Sequence, residues 1–304
     1  MSDNNNKGLQ PEGNVADLTK KYKKKSQFKE AWTRLLRNKT AVLGMVIVAL
    51  LILMALTAPL IYDYETQVIK QNIDHRQQSP SATHPFGTDE TGRDILARVV
   101  YGSRTSLSVG ASAVAIALLI GGFLGALAGF YGGMFDNITM RIMDIFLAIP
   151  GTLFAITIVA ALGPSTTNLM IAMSISSIPR FARIVRGPVL TVRDSEYVEA
   201  ARAIGAKNGR IIFGHVIPNS LAPVIVQTTL EVASIILSIA GLSFLGLGVQ
   251  APAPEWGAML SSARTYLREY TYMAIFPGLA IVITILALNL LGDGLRDALD
   301  PRLK

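Results

Sequence analysis

Long uncharged stretches alternate with short polar, charge-bearing connections along this chain. Ala41 to Tyr62 is apolar without a charge, enough for the roughly 20 residues that cross a bilayer core as a helix. It follows a long polar leader with no cleavage-site pattern, so it reads as a retained span and not as a removed signal peptide. Thr105 to Phe135 is a second uncharged run. Ile145 to Pro179 is a third, interrupted at Gly163-Pro164-Ser165; those turn formers divide it into two spans. Val216 to Val249, broken only by Glu231, and Tyr272 to Leu291 complete a count of six. The fourth span ends near Arg180 and Arg183, which must snorkel or face protein. No fixed-period repeat is visible, nor an inverted pair of three-helix halves.

Composition agrees with this reading. The chain has 304 residues, 51% of them apolar and 16% charged, against about 25% charged in soluble domains. An all-α integral membrane protein is predicted. The net charge of +7 becomes informative once it is placed along the chain. Ten Lys and Arg lie in residues 1–39, one (Arg141) in 131–144, seven in 180–216 and three after 291. The alternate segments 63–104, 163–167 and 250–271 hold five, none and two. The positive-inside rule therefore puts both termini and the 180–216 loop in the cytoplasm. It also accounts for the charge without nucleic acid, since no aromatic-basic interleaving is present. The cluster Lys20, Lys21, Lys23, Lys24 and Lys25 sets topology or attracts anionic lipid, and the polar leader around it reads as mobile.

Little enzyme chemistry remains open. Cysteine is absent, which excludes disulfides, thiolate catalysis and cysteine metal sites. The three histidines, His75, His84 and His215, are scattered. There is no GxxxxGK[ST] phosphate loop, no HExxH and no GxSxG elbow.

Four features stand out. Ala113, Ala117, Gly121, Gly125, Gly129 and Gly133 recur every fourth residue, a bare stripe that lets a second helix approach closely in lipid. Pro150-Gly151 and Pro277-Gly278 fall inside spans and favour kinks. Glu231, with Gln227 one turn earlier, is an acid inside a span; it lines a pathway or bonds a neighbouring helix, and no partner charge is evident. Finally, residues 194–207 of the 180–216 loop form an amphipathic helix. Val198, Ala201 and Ile204 share one face, Glu196, Glu199 and Arg202 another. Acids suit its first turn, and Gly205 is a natural stop. Such a helix rests on lipid or docks into another protein.

The loop also carries a resemblance. Glu199-Ala200-Ala201 followed by Gly205, then His215-Val216-Ile217-Pro218, resembles the EAA loop of ABC importer permeases. His215 and Ile217 stand where that motif usually has Ile and Leu. His84-Pro85-Phe86-Gly87-Thr88-Asp89-Glu90-Thr91-Gly92-Arg93-Asp94, Leu242-Ser243-Phe244-Leu245-Gly246-Leu247-Gly248 and Gly292-Asp293-Gly294-Leu295-Arg296-Asp297-Ala298-Leu299-Asp300-Pro301 resemble the C-type permeases of oligopeptide, dipeptide and nickel importers.

This resemblance, from about Trp32 onward, implies a six-helix type I ABC importer permease of the bacterial inner membrane. It is non-catalytic and binds no cofactor itself. Its partners would be a B-type permease, two cytoplasmic ATPases that hold ATP and Mg, and an extracytoplasmic peptide-binding protein. The implied cargo is di- or oligopeptides; nickel or another small solute is the alternative, and an ion-coupled secondary transporter the remote one. The resemblance places Glu199, Ala200, Ala201 and Gly205 against an ATPase, with Asp194, Tyr197 and Arg202 on the same element. The layout follows: leader 1–40, first span 41–62, extracytoplasmic segment 63–104, core 105–295 with its loop at 186–216, and tail 296–304. On the outer face, Thr88 or Asp89 is positioned to cap a helix over 86–101 with Ile95, Leu96, Val99 and Val100 as its apolar stripe. Asp89, Arg93 and Asp94 then either shape a binding-protein platform or brace the second span.

Overall fold

The computed structural model describes residues 27–299. The lysine cluster at 20–25 and the tail from residue 300 lie outside the described residues. The described residues are mostly helical, with no named strand among them.

A short amphipathic helix, α1 (Gln27–Arg37), leads into α2 (Lys39–Ile61). The turn between them is set by Asn38, whose side chain accepts from the Thr40 and Ala41 amides at 3.1 and 3.2 Å, two donors that a helix start leaves orphaned. An irregular segment then runs to α3 (Ile95–Tyr131). Gly132 and Gly133, at φ +66 and +57, turn the chain into α4 (Gly133–Leu147), and Pro150 separates α4 from α5 (Gly151–Leu162). A tight turn capped by Ser165 opens α6 (Thr166–Arg193). Two short helices follow, α7 (Glu196–Ala203) and α8 (Asn208–Ile211), before α9 (Ile217–Phe244), α10 (Trp256–Ala263) and α11 (Tyr272–Leu299).

The predicted spans differ from these helices in three places. The second begins at Ile95 and ends at Tyr131, not at Thr105 and Phe135; hydropathy sees the membrane-embedded part, whereas Asp94 and Gly132 end the hydrogen-bonded ladder. The third is α4 and α5, bent by 80°, because Pro150 lacks the amide the ladder needs. Pro277, by contrast, sits within continuous α11. Among the described residues, four helices are long and apolar enough to cross a membrane, or five if the bent pair is one span. The predicted fourth span, α6, keeps Arg180, Arg183, Arg186 and Arg193 within its 28 residues and falls short on composition.

The small-residue stripe is an internal seam. Ala113, Ala117, Gly121, Gly125 and Gly129 are buried, and a Cβ on Gly121 or Gly125 would strike the carbonyl oxygens of Ile178 and Ala182 on α6. Gly133 lies beyond the helix end and is exposed. Around the seam, Val109, Ala117, Val159, Leu169, Phe181 and Ile239 join α3, α5, α6 and α9 in one core. One smaller core lies under α7, and another surrounds Trp256 at the opposite end.

Candidate functional site

At one end of the bundle, α7 is divided cleanly between core and surface. Val198 and Ala201 are buried against Phe130, Val189, Ile211 and Val216. Glu196, Tyr197, Glu199, Ala200 and Arg202 remain exposed. The ordered helix is shorter than the predicted 194–207, and Ile204 is not on its buried face. Ile204 caps the C-terminus and is 87% exposed, since Gly205 at φ +80 reverses the chain one residue later. Arg202 sits over the Phe130 ring at 5.6 Å. Arg193 donates to Asp194 at 2.8 and 3.2 Å and holds its carboxyl below the ordinary range. The element thus presents a small, rigid, charged face on an apolar seat.

Midway along the bundle, α6 turns a column of arginines toward its neighbours. Arg180 donates to Glu231 on α9 at 3.0 Å, Arg183 to Asp144 on α4 at 2.7 Å, and Arg186 doubly to Asp136 at 2.5 and 2.6 Å. Glu231 therefore has a partner, and the span interiors hold paired charges, contrary to expectation. The missing signal is distance: Arg180 and Glu231 lie 51 positions apart. Arg180, Arg183 and Arg186 recur at helical spacing, and that periodicity within a span was the available clue. Gln227 stands exposed a turn before Glu231, and between them Thr228 Oγ1 is shielded without a hydrogen-bond partner among the described residues.

At the other end, residues 86–94 form a tight loop and not the start of a helix. Gly87 and Gly92, at φ +76 and +78, are incompatible with helical turns. Asp89 instead accepts from the Thr91 and Arg93 amides at 2.9 and 3.0 Å and from Arg93 Nε at 2.6 Å. The cap of α3 is Asp94, which accepts from the Ala97 amide at 2.8 Å and meets His84 Nδ1 at 2.7 Å. Ile95 and Val99 then pack on Trp256, and Leu96 and Val100 are partly buried. Asp89 and Arg93 are buried themselves, so they frame this surface and do not project from it. Sequence reasoning missed Arg98. Its side chain, buried beneath the loop, donates to the Val68 and Pro252 carbonyls at 3.2 Å each and lies 3.5 Å from Asp89. Nearby Glu255 caps α10 through the Gly257 and Ala258 amides at 3.0 and 2.8 Å, and burial pushes its carboxyl above the usual range.

Comparison with known proteins agrees with this architecture. Residues 121–304 match the family described as binding-protein-dependent transport system inner membrane component, and residues 26–80 match the N-terminal TM domain of oligopeptide transport permease C. The chain is 49% identical over 296 residues to the dipeptide transport system permease protein DppC of Alkalihalophilus pseudofirmus, covering 97% of both chains. It is 45% identical to the glutathione transport system permease protein GsiD of Pectobacterium atrosepticum, over 92% of this chain and 93% of that one. Its fold is similar to a chain of the inward-facing MetNI methionine ABC transporter, with a TM-score of 0.57 and 19% identity over 68% of this chain and 98% of the other. The expected fold and family are both borne out, and family membership decides against the ion-coupled secondary transporter. This chain belongs to the binding-protein-dependent transport system inner membrane components, the multi-pass, non-catalytic permease subunits of ABC importers.

Proposed function

We propose that this chain forms half of the translocation pathway of an importer for di- and oligopeptides and receives its driving force through α7. The division of that helix into a buried and an exposed face carries the coupling reading. A subunit without a nucleotide site must be moved by contact, and α7 transmits contact because Val198 and Ala201 tie it to the core under α3, α6 and α9. Glu199 offers a charge-assisted hydrogen bond, and Ala200 permits close approach; Asp194, Tyr197 and Arg202 flank them. Two cytoplasmic ATPases, binding ATP and Mg, are the partners of this face. A B-type permease completes the pathway, and an extracytoplasmic binding protein delivers cargo. The peptide assignment follows the relatives, whose names specify dipeptide and glutathione transport. In this arrangement Glu231 and Gln227 line the pathway, while Asp89, Arg93 and Asp94 form the frame beneath the receptor surface.

Gly205→Val tests the coupling. A Cβ at this position meets no atom within 4 Å, so the effect is conformational: a left-handed residue with a Cβ costs about 1–2 kcal/mol, and a β-branched one is worst placed. Transport into proteoliposomes by the four-subunit complex should be lost while the two permeases still co-purify. Glu199→Ala should be milder, because the apolar seat remains. Normal transport by Gly205→Val, or crosslinks from position 199 to lipid and never to an ATPase, would leave α7 as an interfacial helix.

The same reading places residues 1–40, the 186–216 loop and 296–304 in the cytoplasm and 63–104 outside. In this cysteine-free chain, Asp74→Cys should react with an impermeant maleimide in intact spheroplasts and Asn208→Cys should not. The reverse pattern overturns the orientation.

A further inference from the structure

We infer that Arg180 and Arg183, with Glu231 and Asp144 on either side, form an exchangeable ion-pair site that takes the charged termini of a peptide in transit. The inference rests on the peptide-import reading above and deepens it. Consecutive positions i and i+3 on α6 put the two guanidinium groups side by side. Glu231 approaches one from α9 and Asp144 the other from α4, so the order of charge across the face is minus, plus, plus, minus. A zwitterionic peptide has the complementary pair: a carboxylate for the arginines and an ammonium for either acid.

Three observations favour exchange over a static brace. Arg183 and Asp144 are 59% and 49% exposed, and Arg180 is 54% exposed over a Glu231 at 14%, whereas the doubly bonded pair one turn on, Arg186 with Asp136, is 31% and 9% exposed. The first two arginines are each held through one nitrogen and exposed, so they can open; the third, doubly bonded and more covered, is the brace. Second, Arg180 and Arg183 turn sideways to acids on α9 and α4 and do not run along α6 toward its end, the other of the two ways in which a charge near a span end is accommodated. Charges so placed face a water-filled cavity or a partner and not lipid. Third, Thr228 Oγ1, three positions before Glu231 on α9, is shielded without a hydrogen-bond partner among the described residues, a donor left free to turn to the Glu231 side when that acid changes partner. A cargo stripped of bulk water needs its charges compensated, and the site supplies both signs with no net charge to trap the cargo.

The test uses the complete complex in liposomes with radiolabelled alanyl-alanine and tri-alanine. Arg180→Gln/Glu231→Gln preserves shape without charge, and Arg180→Met/Glu231→Met replaces the pair by apolar contact. Both should assemble, yet transport turnover at saturating loaded binding protein should fall about tenfold, the loss of one charge-assisted hydrogen bond. Arg183→Cys should also react with a cationic methanethiosulfonate in the assembled complex. Wild-type turnover in either double variant overturns the inference, because a pair that only holds helices together is replaceable by methionine. An unreactive Arg183→Cys beside a reactive Asn208→Cys overturns it too, by showing the face covered. Were the wild-type complex to move neither peptide, the peptide reading would fall and this inference with it; a failure of the inference alone leaves wild-type transport intact.

Discussion

Gly125→Leu should abolish the folded subunit. The α3–α6 seam brings backbone against backbone at this residue: a Cβ on Gly125 would lie on the Ala182 carbonyl oxygen, with the Ala182 Cα 3.0 Å away. Neither is a side chain that could rotate aside. Between helices in lipid there is no hydrophobic force to restore the contact, only packing and hydrogen bonding, so forcing α3 from α6 forfeits the central core around Ala117, Leu169 and Phe181. The damage would spread to the ion pairs, since Arg180, Arg183 and Arg186 are aimed by the face of α6 that this seam fixes. Gly187→Ala on α6 is the matched control. A Cβ there meets nothing within 4 Å, and replacing a helical glycine by alanine gains about 0.5–1 kcal/mol. Fluorescence-detected size exclusion of the detergent-solubilised permease pair should show aggregate or no protein for Gly125→Leu and a normal peak for Gly187→Ala. A normal peak and melting temperature for Gly125→Leu would overturn the seam.

Arg98→Met should loosen the end of the molecule that bears α10. One guanidinium joins three segments far apart in sequence: the Val68 carbonyl, the Pro252 carbonyl and the Asp89 carboxylate. Methionine fills much of the volume but leaves the buried Val68 carbonyl, and the partly buried Pro252 carbonyl, without this donor. Each unsatisfied group costs about 1–3 kcal/mol. Asp89 keeps Arg93 at 2.6 Å and the carbonyl of exposed Pro252 is open to water, so the total should sit near about 2 kcal/mol, below the usual cost of breaking a buried pair. The expected result is rapid proteolysis within residues 63–94 and a lower melting temperature, with α7 and its seat unaffected. Arg98→Lys, with charge but no fork, should fall between. Unchanged proteolysis in Arg98→Met would mean that the loop holds without this link.

Local sequence determined a good deal here. Uncharged runs marked α2, α3, α9 and α11 because a bilayer helix must be apolar over its full length, a requirement that each segment meets on its own. Gly205 could be read as a stop, and Val198 with Ala201 as a buried face, because helix ends and helical periodicity are properties of neighbouring residues. The EAA-like order around Glu199 was legible for the same reason. Where a helix begins was less so: Thr88, Asp89 and Asp94 are all acceptable caps, and two glycines in left-handed geometry decided for Asp94. Tertiary structure alone decided which charges meet. Glu231 looked solitary until α6 brought Arg180 beside it, and Arg98 carried no signal of its own until the Val68 and Pro252 carbonyls met its guanidinium. It likewise decided that the stripe from Ala113 to Gly129 faces α6 and not a second chain. The reason is physical: capping and hydropathy act over one or two turns of chain, whereas an ion pair or a backbone contact is set by which helices pack together.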